Sequence, residues 1–377
     1  MARKCKNKKN KENNTHKFTL VFLAILLIAL VFCHQFSISA TTLEKFTPSR
    51  IENNDPVENE FIIPRKISVD EINQQQKIRK LHLKNKCQDK NLNQHQLNTD
   101  EFLMNLIKAN LTDEFRMIKD DIHKWYLCEA PKIATTNWKR IFLQMSYPDK
   151  YQIFSKIERP HNQLHGEDGY RYLFEEKDDN TILSKFNEYE KVIFVRHPLD
   201  RLLSAFRDKI LPTVFENPLY SSLIKTLKRG NRKAEFQKIA IGAFHEFLEY
   251  LILRQRIRSG EFSGYKIESF GIQQATGAKT RHWSSVYELC NVCAVDWSVI
   301  GKMESLEDDF QYLKAVTQND AYELPKEMSI TESEKQNRLE RLKTYYGGIP
   351  KSTIRNVYEI YKDDFEMFDY KIPSFLQ

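Results

Sequence analysis

Past its seventeenth residue this sequence has almost no net charge. The whole chain carries a formal +7, yet the opening "MARKCKNKKNKENNTHK" alone holds seven Lys or Arg against a single Glu. A body so close to neutral is not a nucleic-acid binder by bulk charge, so any anion site in it must be local. The chain also lacks a GxxxxGK[ST] loop and the carboxylates that hold a metal beside one, which argues against Mg-dependent phosphoryl transfer. No metal-ligand set is read from the sequence. No internal repeat is visible, which removes solenoid architectures.

Against these absences stands one long apolar run, "FTLVFLAILLIALVFC" at residues 18–33. At 1.5 Å per residue it reaches about 24 Å, slightly short of a ~30 Å hydrocarbon core, and Phe36 and Ile38 can extend it. With the basic flank before it, this predicts a cytoplasmic tail (1–17), a transmembrane signal-anchor (18–38) and an exported body. The rival is a cleaved signal peptide, since Ser37 and Ser39 are small enough to mark a cleavage site. Residues 39–100 are polar and read as a stem, with limited helix in "SVDEINQQQKIRKLHLKNK". The globular domain is placed at 101–377.

An exported body puts Cys87, Cys128, Cys290 and Cys293 in an oxidising compartment, where disulfides persist. Four cysteines allow three pairings, Cys290–Cys293 among them. The "CNVC" at 290–293 also fits a redox or half-zinc motif, but a lone CxxC is weak evidence. "NLT" at 110–112 is a luminal glycosylation sequon.

Short apolar runs at 125–130 ("WYLCEA"), 191–195 ("KVIFV") and 294–301 ("AVDWSVIG") read as buried strands. They alternate with helical spacing in "NWKRIFLQM", in Leu199, Leu202, Leu203 and Phe206, in "AEFQKIAIGAFHEFLEYLILRQR", in "SLEDDFQYLKAV" and in "YEIYKDDFEMFDY". The alternation predicts an α/β fold with a parallel sheet flanked by helices.

Two strand–turn–helix units carry the chemistry, "CEAPKIATTNWKR" (128–140) and "VIFVRHPLDRLLSAFRDKI" (192–210). Such a junction presents free amides at a helix N-terminus, a ready anion site. In the first, Pro131 shapes the turn and Ala134 permits close backbone approach. Thr135 and Thr136 add hydroxyls, and Lys132 adds a point charge. Either unit alone is also what an ordinary solvated basic junction looks like.

Together the two units resemble the Golgi carbohydrate sulfotransferases, the group containing the chondroitin and HNK-1 enzymes. "APKIATTNWKR" is similar to that family's 5′-phosphosulfate loop and "FVRHPLDRLLSAFRDK" to its 3′-phosphate segment. Residues 282–310 resemble a third block, and the likeness spans about 120–370. Thr135 stands where many relatives have Cys, and His197 where many have Glu or Asp.

The resemblance implies a P-loop-like sulfotransferase fold that takes 3′-phosphoadenosine 5′-phosphosulfate (PAPS) as co-substrate, without a metal. It implies a type II Golgi membrane enzyme acting on a glycan, chondroitin or a related N-acetylgalactosamine-containing chain. Pro131, Lys132, Ile133, Ala134, Thr135, Thr136, Asn137 and Trp138 would hold the 5′ side, with Trp138 either stacking on adenine or filling the core. Arg196 and Ser204 would hold the 3′-phosphate. Lys132 would meet the charge on the leaving group. The base would be His161, then His165, then Glu167 in order of preference. Arg201, Arg207 and Lys209 read as ion-paired or solvated, with Arg201 alternatively facing the substrate. His282 reads as structural or substrate-side rather than as the base, to be tested for that role only after the three residues above. Oligomeric state is not legible. A second reading is a luminal glycan-binding paralogue that has kept the fold and lost turnover.

Overall fold

The computed structural model describes residues 68–90, 99–109, 111, 115–146, 171–172, 175–176, 178–216, 233–261, 277–318, 324–325, 328 and 331–377. In chain order the helices are α1 (Val69–Lys90), α2 (Thr99–Lys108), α3 (Thr135–Ser146), α4 (Asp179–Glu188), α5 (Pro198–Ala205), α6 (Leu211–Glu216), α7 (Lys233–Arg258), α8 (Val286–Leu289), α9 (Leu306–Val316), α10 (Glu332–Tyr346) and α11 (Lys351–Met367). The strands are β1 (Met117–Asp120), β2 (Trp125–Cys128), β3 (Arg171–Tyr172), β4 (Glu190–Val195) and β5 (Val299–Lys302).

The strands form a five-stranded sheet in the order β3-β1-β2-β4-β5. Pairing is parallel for β2–β4 and β4–β5 but antiparallel for β1–β2 and β1–β3. The expected parallel sheet is thus its central and C-terminal part, and the whole is mixed. β1 escapes the apolar pattern because Lys119 and Asp120 are buried there with partners of their own. Lys119 pairs with Glu176, and Asp120 accepts from the His123 ring at 2.6 Å and from Trp125 Nε1 at 3.2 Å.

The sheet's apolar face is built around β4. A Cβ at Gly301 of β5 would overlap the Phe194 ring, so glycine is what lets that ring lie across its neighbour. Trp138 of α3 then packs on Phe194 with ring centroids 4.2 Å apart and is wholly buried. This overturns adenine stacking by Trp138 and keeps the alternative, a core aromatic, since its face is spent inside the protein.

Two disulfides join distant parts of the chain, Cys87–Cys293 and Cys128–Cys290. The cysteines are structural, as expected, but Cys290 and Cys293 are not bonded to each other. The first bond belongs to α1, which lies in the stretch assigned to the stem. That helix is part of the folded body: it buries Ile72, Gln76, Leu83 and Cys87 and packs on β5, α9 and α11. Gln76 reaches the outer edge of β5. Its Nε2 donates to Ile300 O and its Oε1 accepts from Ile300 N, both at 3.0 Å. Arg79 pairs with buried Asp309 at 2.6 Å.

The proposed anchor at 18–38 and Asn110 of the sequon lie outside the described residues. Among the described residues, no helix is long and apolar enough to cross a membrane.

Candidate active site

β2 ends at Cys128 and α3 begins at Thr135, leaving six residues to turn the chain. Two of them, neither glycine, have left-handed backbones: Lys132 at φ 71° and Ala134 at φ 60°. Each such residue costs about 1–3 kcal/mol and persists only where its surroundings impose it. Here the loop's carbonyls are pinned from behind. Thr135 Oγ1 donates to Ala130 O at 2.7 Å, Arg201 Nε to Pro131 O at 3.0 Å, and Arg196 Nη1 to Lys132 O at 3.2 Å. With the carbonyls fixed, the two positive-φ residues Lys132 and Ala134 flank Ile133, the kind of turn from which backbone anion nests are built. Among the described residues no carbonyl accepts from the amides of Lys132, Ile133 or Ala134.

The side chains divide the labour. Ile133 is buried in the core. Thr135 spends its proton on Ala130 O, so it shapes the loop rather than donating to a phosphate. Asn137 Oδ1 accepts from Arg140 at 2.6 Å. Thr136 is half-buried. Lys132 Nζ lies 2.9 Å from Asp208 Oδ2. Burial lowers the Lys132 pKa, and Asp208 works against that loss.

The second junction runs from β4 into α5. Pro198 occupies the first helical position, where its missing amide costs nothing. Arg196 Nε pairs with Asp200 Oδ2 at 2.6 Å, and no partner takes its Nη2 among the described residues. α10 packs on α5 and sets Arg338 Nε 3.7 Å from the same Asp200 oxygen. Burial alone would raise the Asp200 carboxyl, but Arg196 and Arg338 beside it pull it down to about 2. Arg341, one turn on, has its pKa lowered by burial and by Arg207. Ser204 is half-buried on α5.

After Ala205 the chain makes a π turn, Phe206–Ile210. Single π turns cluster at functional sites because the extra residue re-aims the side chains beyond it. Here Asp208 bonds both Lys132 and Lys209.

Lys132, Arg196 and the loop, all singled out from the sequence, lie in one cluster, but Asp200, Asp208, Arg338 and Arg341 escaped that reading. The Thr331–Glu334 capping box, present in the structure, was the available signal for α10. Nothing local flags Asp208. Arg201, read as solvated or ion-paired, is 1% exposed and bonds backbone carbonyls instead. His197 is also wholly buried; its Nε2 meets Lys371 O at 2.9 Å, and its amide donates to Glu304 at 2.9 Å. His161, His165 and Glu167 lie outside the described residues.

The cations gathered here, Lys132, Arg196, Arg207, Lys209, Arg338 and Arg341, outnumber the carboxylates Asp200, Asp208 and Glu304. Beside a backbone nest, that surplus suits a small polyanion. Comparison with known proteins agrees. The model of the sulfotransferase family matches residues 113–371.

The chain belongs to the carbohydrate sulfotransferases.

Among such relatives, zebrafish (Danio rerio) carbohydrate sulfotransferase 10 is 30% identical over 268 residues, covering 69% of this chain and 68% of that one. Zebrafish carbohydrate sulfotransferase 11 is 29% identical over 270 residues, 71% and 70% of the two chains. Human (Homo sapiens) carbohydrate sulfotransferase 8 is 28% identical over 266 residues, 68% of this chain and 56% of that one. No solved structure matches the chain. As a carbohydrate sulfotransferase the chain is an enzyme, and its family implies PAPS as donor and a glycan as acceptor. Among the described residues no cluster fits a metal ion.

Proposed function

We propose that this sulfotransferase modifies a hydroxyl of chondroitin or a related N-acetylgalactosamine-containing glycan, as a type II Golgi membrane enzyme with a luminal catalytic domain. The two disulfides support an oxidising lumen. The basic flank and the apolar run at 18–33 support the anchor. The acceptor rests on the likeness of the sequence motifs to the chondroitin group.

The observation that carries the site assignment is the pinned loop, with left-handed Lys132 and Ala134 and carbonyls held away from the nest. When bound, PAPS supplies a sulfuryl group on an oxygen of its 5′-phosphate. The amides of Lys132, Ile133 and Ala134, with Thr136, would hold that phosphate. Lys132 would stabilise the charge that grows on its oxygen as the bond to sulfur breaks. Its pair with Asp208 is no obstacle: Asp208 is 46% exposed, and ion pairs that open contribute under about 1 kcal/mol. Arg196 Nη2, Ser204 and Arg338 would hold the 3′-phosphate, with Asp200 fixing both guanidinium groups.

Transfer of radiolabelled sulfate from PAPS to a panel of desulfated glycans, followed by disaccharide analysis, tests the proposal. Label on N-acetylgalactosamine of chondroitin supports it, and label only on another glycan corrects the acceptor. Tight binding of adenosine 3′,5′-bisphosphate with no transfer to any glycan would favour the non-catalytic reading.

A further inference from the structure

The donor loop and the segment around His282 are joined by one buried side chain. Arg201 donates from Nε to Pro131 O at 3.0 Å and from Nη2 to Ser284 O at 2.7 Å. One carbonyl is next to Lys132, the other two residues past His282. A guanidinium is a rigid planar fork, so these two bonds set the spacing of the segments they join. The His282 side is held elsewhere as well. Tyr361 OH donates to Trp283 O at 2.5 Å, and Asp364 accepts from the amides of Val286 and Tyr287 at 2.9 and 2.8 Å.

His282 thereby stands in the electrostatic reach of the donor loop. The charged groups that act on its ring are Lys209 and Asp208 from the π turn, Lys132 from the loop and Arg201 from α5. Its Nδ1 is buried and has no hydrogen-bond partner among the described residues. Buried polar atoms are nearly always partnered, and an exception calls for a reason. In a transferase a missing partner that arrives with the substrate is such a reason.

We propose that His282 accepts the proton of the glycan hydroxyl, and that Arg201 is the positioning residue that holds it across from Lys132. This rests on the sulfotransferase reading. The acceptor oxygen–sulfur bond forms as the bond from sulfur to the 5′-phosphate oxygen breaks. The electron pair of the broken bond stays on the phosphate, where Lys132 meets it. The hydroxyl proton passes to the imidazole and leaves to solvent with the product. Burial, then Lys209 and Lys132, hold the free imidazole down at about 4, with Arg201 adding to the effect and Asp208 opposing it. The ring is therefore neutral with a lone pair to offer. Donor phosphates beside Lys132 and Lys209 offset those two cations and make the imidazole more basic when the hydroxyl is in place.

The test uses the full-length enzyme with His282→Gln, His161→Ala and Arg201→Lys. Calorimetry with adenosine 3′,5′-bisphosphate, repeated in buffers of different ionisation enthalpy near pH 5, reads the protons taken up on binding. Wild type should take up more than His282→Gln, whose nucleotide affinity should stay within about threefold. Turnover of His282→Gln should fall by roughly 10²–10⁴, the range for a lost general base. Arg201→Lys keeps the charge but not the fork; it should lower kcat and shift the acid limb of the pH profile, and, because Arg201 also pins Pro131 O of the donor loop, weaken nucleotide binding as well. If His282→Gln fails to fold, His282→Asn is read in the same way. Near-normal turnover in a folded His282 variant, or equal proton uptake with and without His282, overturns the proposal. So does loss of the acid limb in His161→Ala when His282→Gln retains it. Those outcomes leave the sulfotransferase reading intact, whereas a wild type that transfers no sulfate to any glycan overturns both.

Discussion

Replacing Arg196 by Ala should damage stability and donor binding by separable amounts. Arg196 and Asp200 are 2.6 Å apart with side chains 13% and 7% exposed, so the pair is nearly dry. Removing one partner of a buried pair costs roughly 3–5 kcal/mol, because the other charge is left uncompensated. Arg338, 3.7 Å from the same oxygen, cushions that loss, which places the expected cost near the lower end, about 3 kcal/mol. For a domain of this size that corresponds to a fall in Tm of roughly 6–12 °C. Separately, losing a charged hydrogen bond to a phosphate should weaken adenosine 3′,5′-bisphosphate about 10–150-fold. Thermal unfolding and calorimetry read the two effects. The decisive comparison is Arg196→Ala/Asp200→Asn. Neutralising the stranded carboxylate should recover part of the Tm while leaving the nucleotide affinity low. A double variant less stable than Arg196→Ala alone would refute the buried-charge argument. An unchanged affinity in folded Arg196→Ala would remove the residue from the site.

Lys132→Ala should lower kcat by about 10²–10³, the scale for losing one stabiliser of transition-state charge, with a smaller loss of nucleotide affinity by calorimetry. Trp138→Phe should lower Tm yet leave that affinity unchanged, because the indole lies in the core; a weakened affinity would revive adenine stacking. Asp200 has a folded pKa of about 2, below its ordinary 3.8, so its contribution is present above about pH 4 and lost as pH falls towards 2. Acid unfolding of Asp200→Asn should lack that segment, on the order of 2 kcal/mol. Cys87→Ser should cost about 2–4 kcal/mol in denaturant titration under oxidising conditions.

Local pattern carried what was legible in the sequence. The apolar runs of β2 and β4 and the basic residues at their ends mark two junctions that lie together, and Lys132 and Arg196 stand out that way. What was hidden depends on partners far along the chain. β1 carries a buried lysine and a buried aspartate, so it has no strand signature without Glu176 and His123. α1 looks polar because Gln76 and Arg79 are satisfied by β5 and Asp309, and its membership in the body rests on Cys87 finding Cys293. Asp208 gains its meaning from the π turn, for which the sequence has no marker. Trp138 was open between two roles because its neighbour Phe194 sits more than fifty residues away.

The reciprocal bonds between Gln76 and Ile300 have a consequence for anyone who shortens this protein. β5 is the outer strand of the sheet, and an outer strand offers its unpaired amides and carbonyls to any other chain. The Gln76 carboxamide, donor and acceptor in one group, stands in for a single peptide unit of a sixth strand and blocks that row at Ile300. A fragment begun at the apparent stem boundary near residue 100 would discard this plug together with Cys87. It would leave Cys293 as a free thiol beside a bare strand edge, so poor yield of such a fragment would report self-association and mispaired thiols. A fragment begun before Val69 keeps the edge closed.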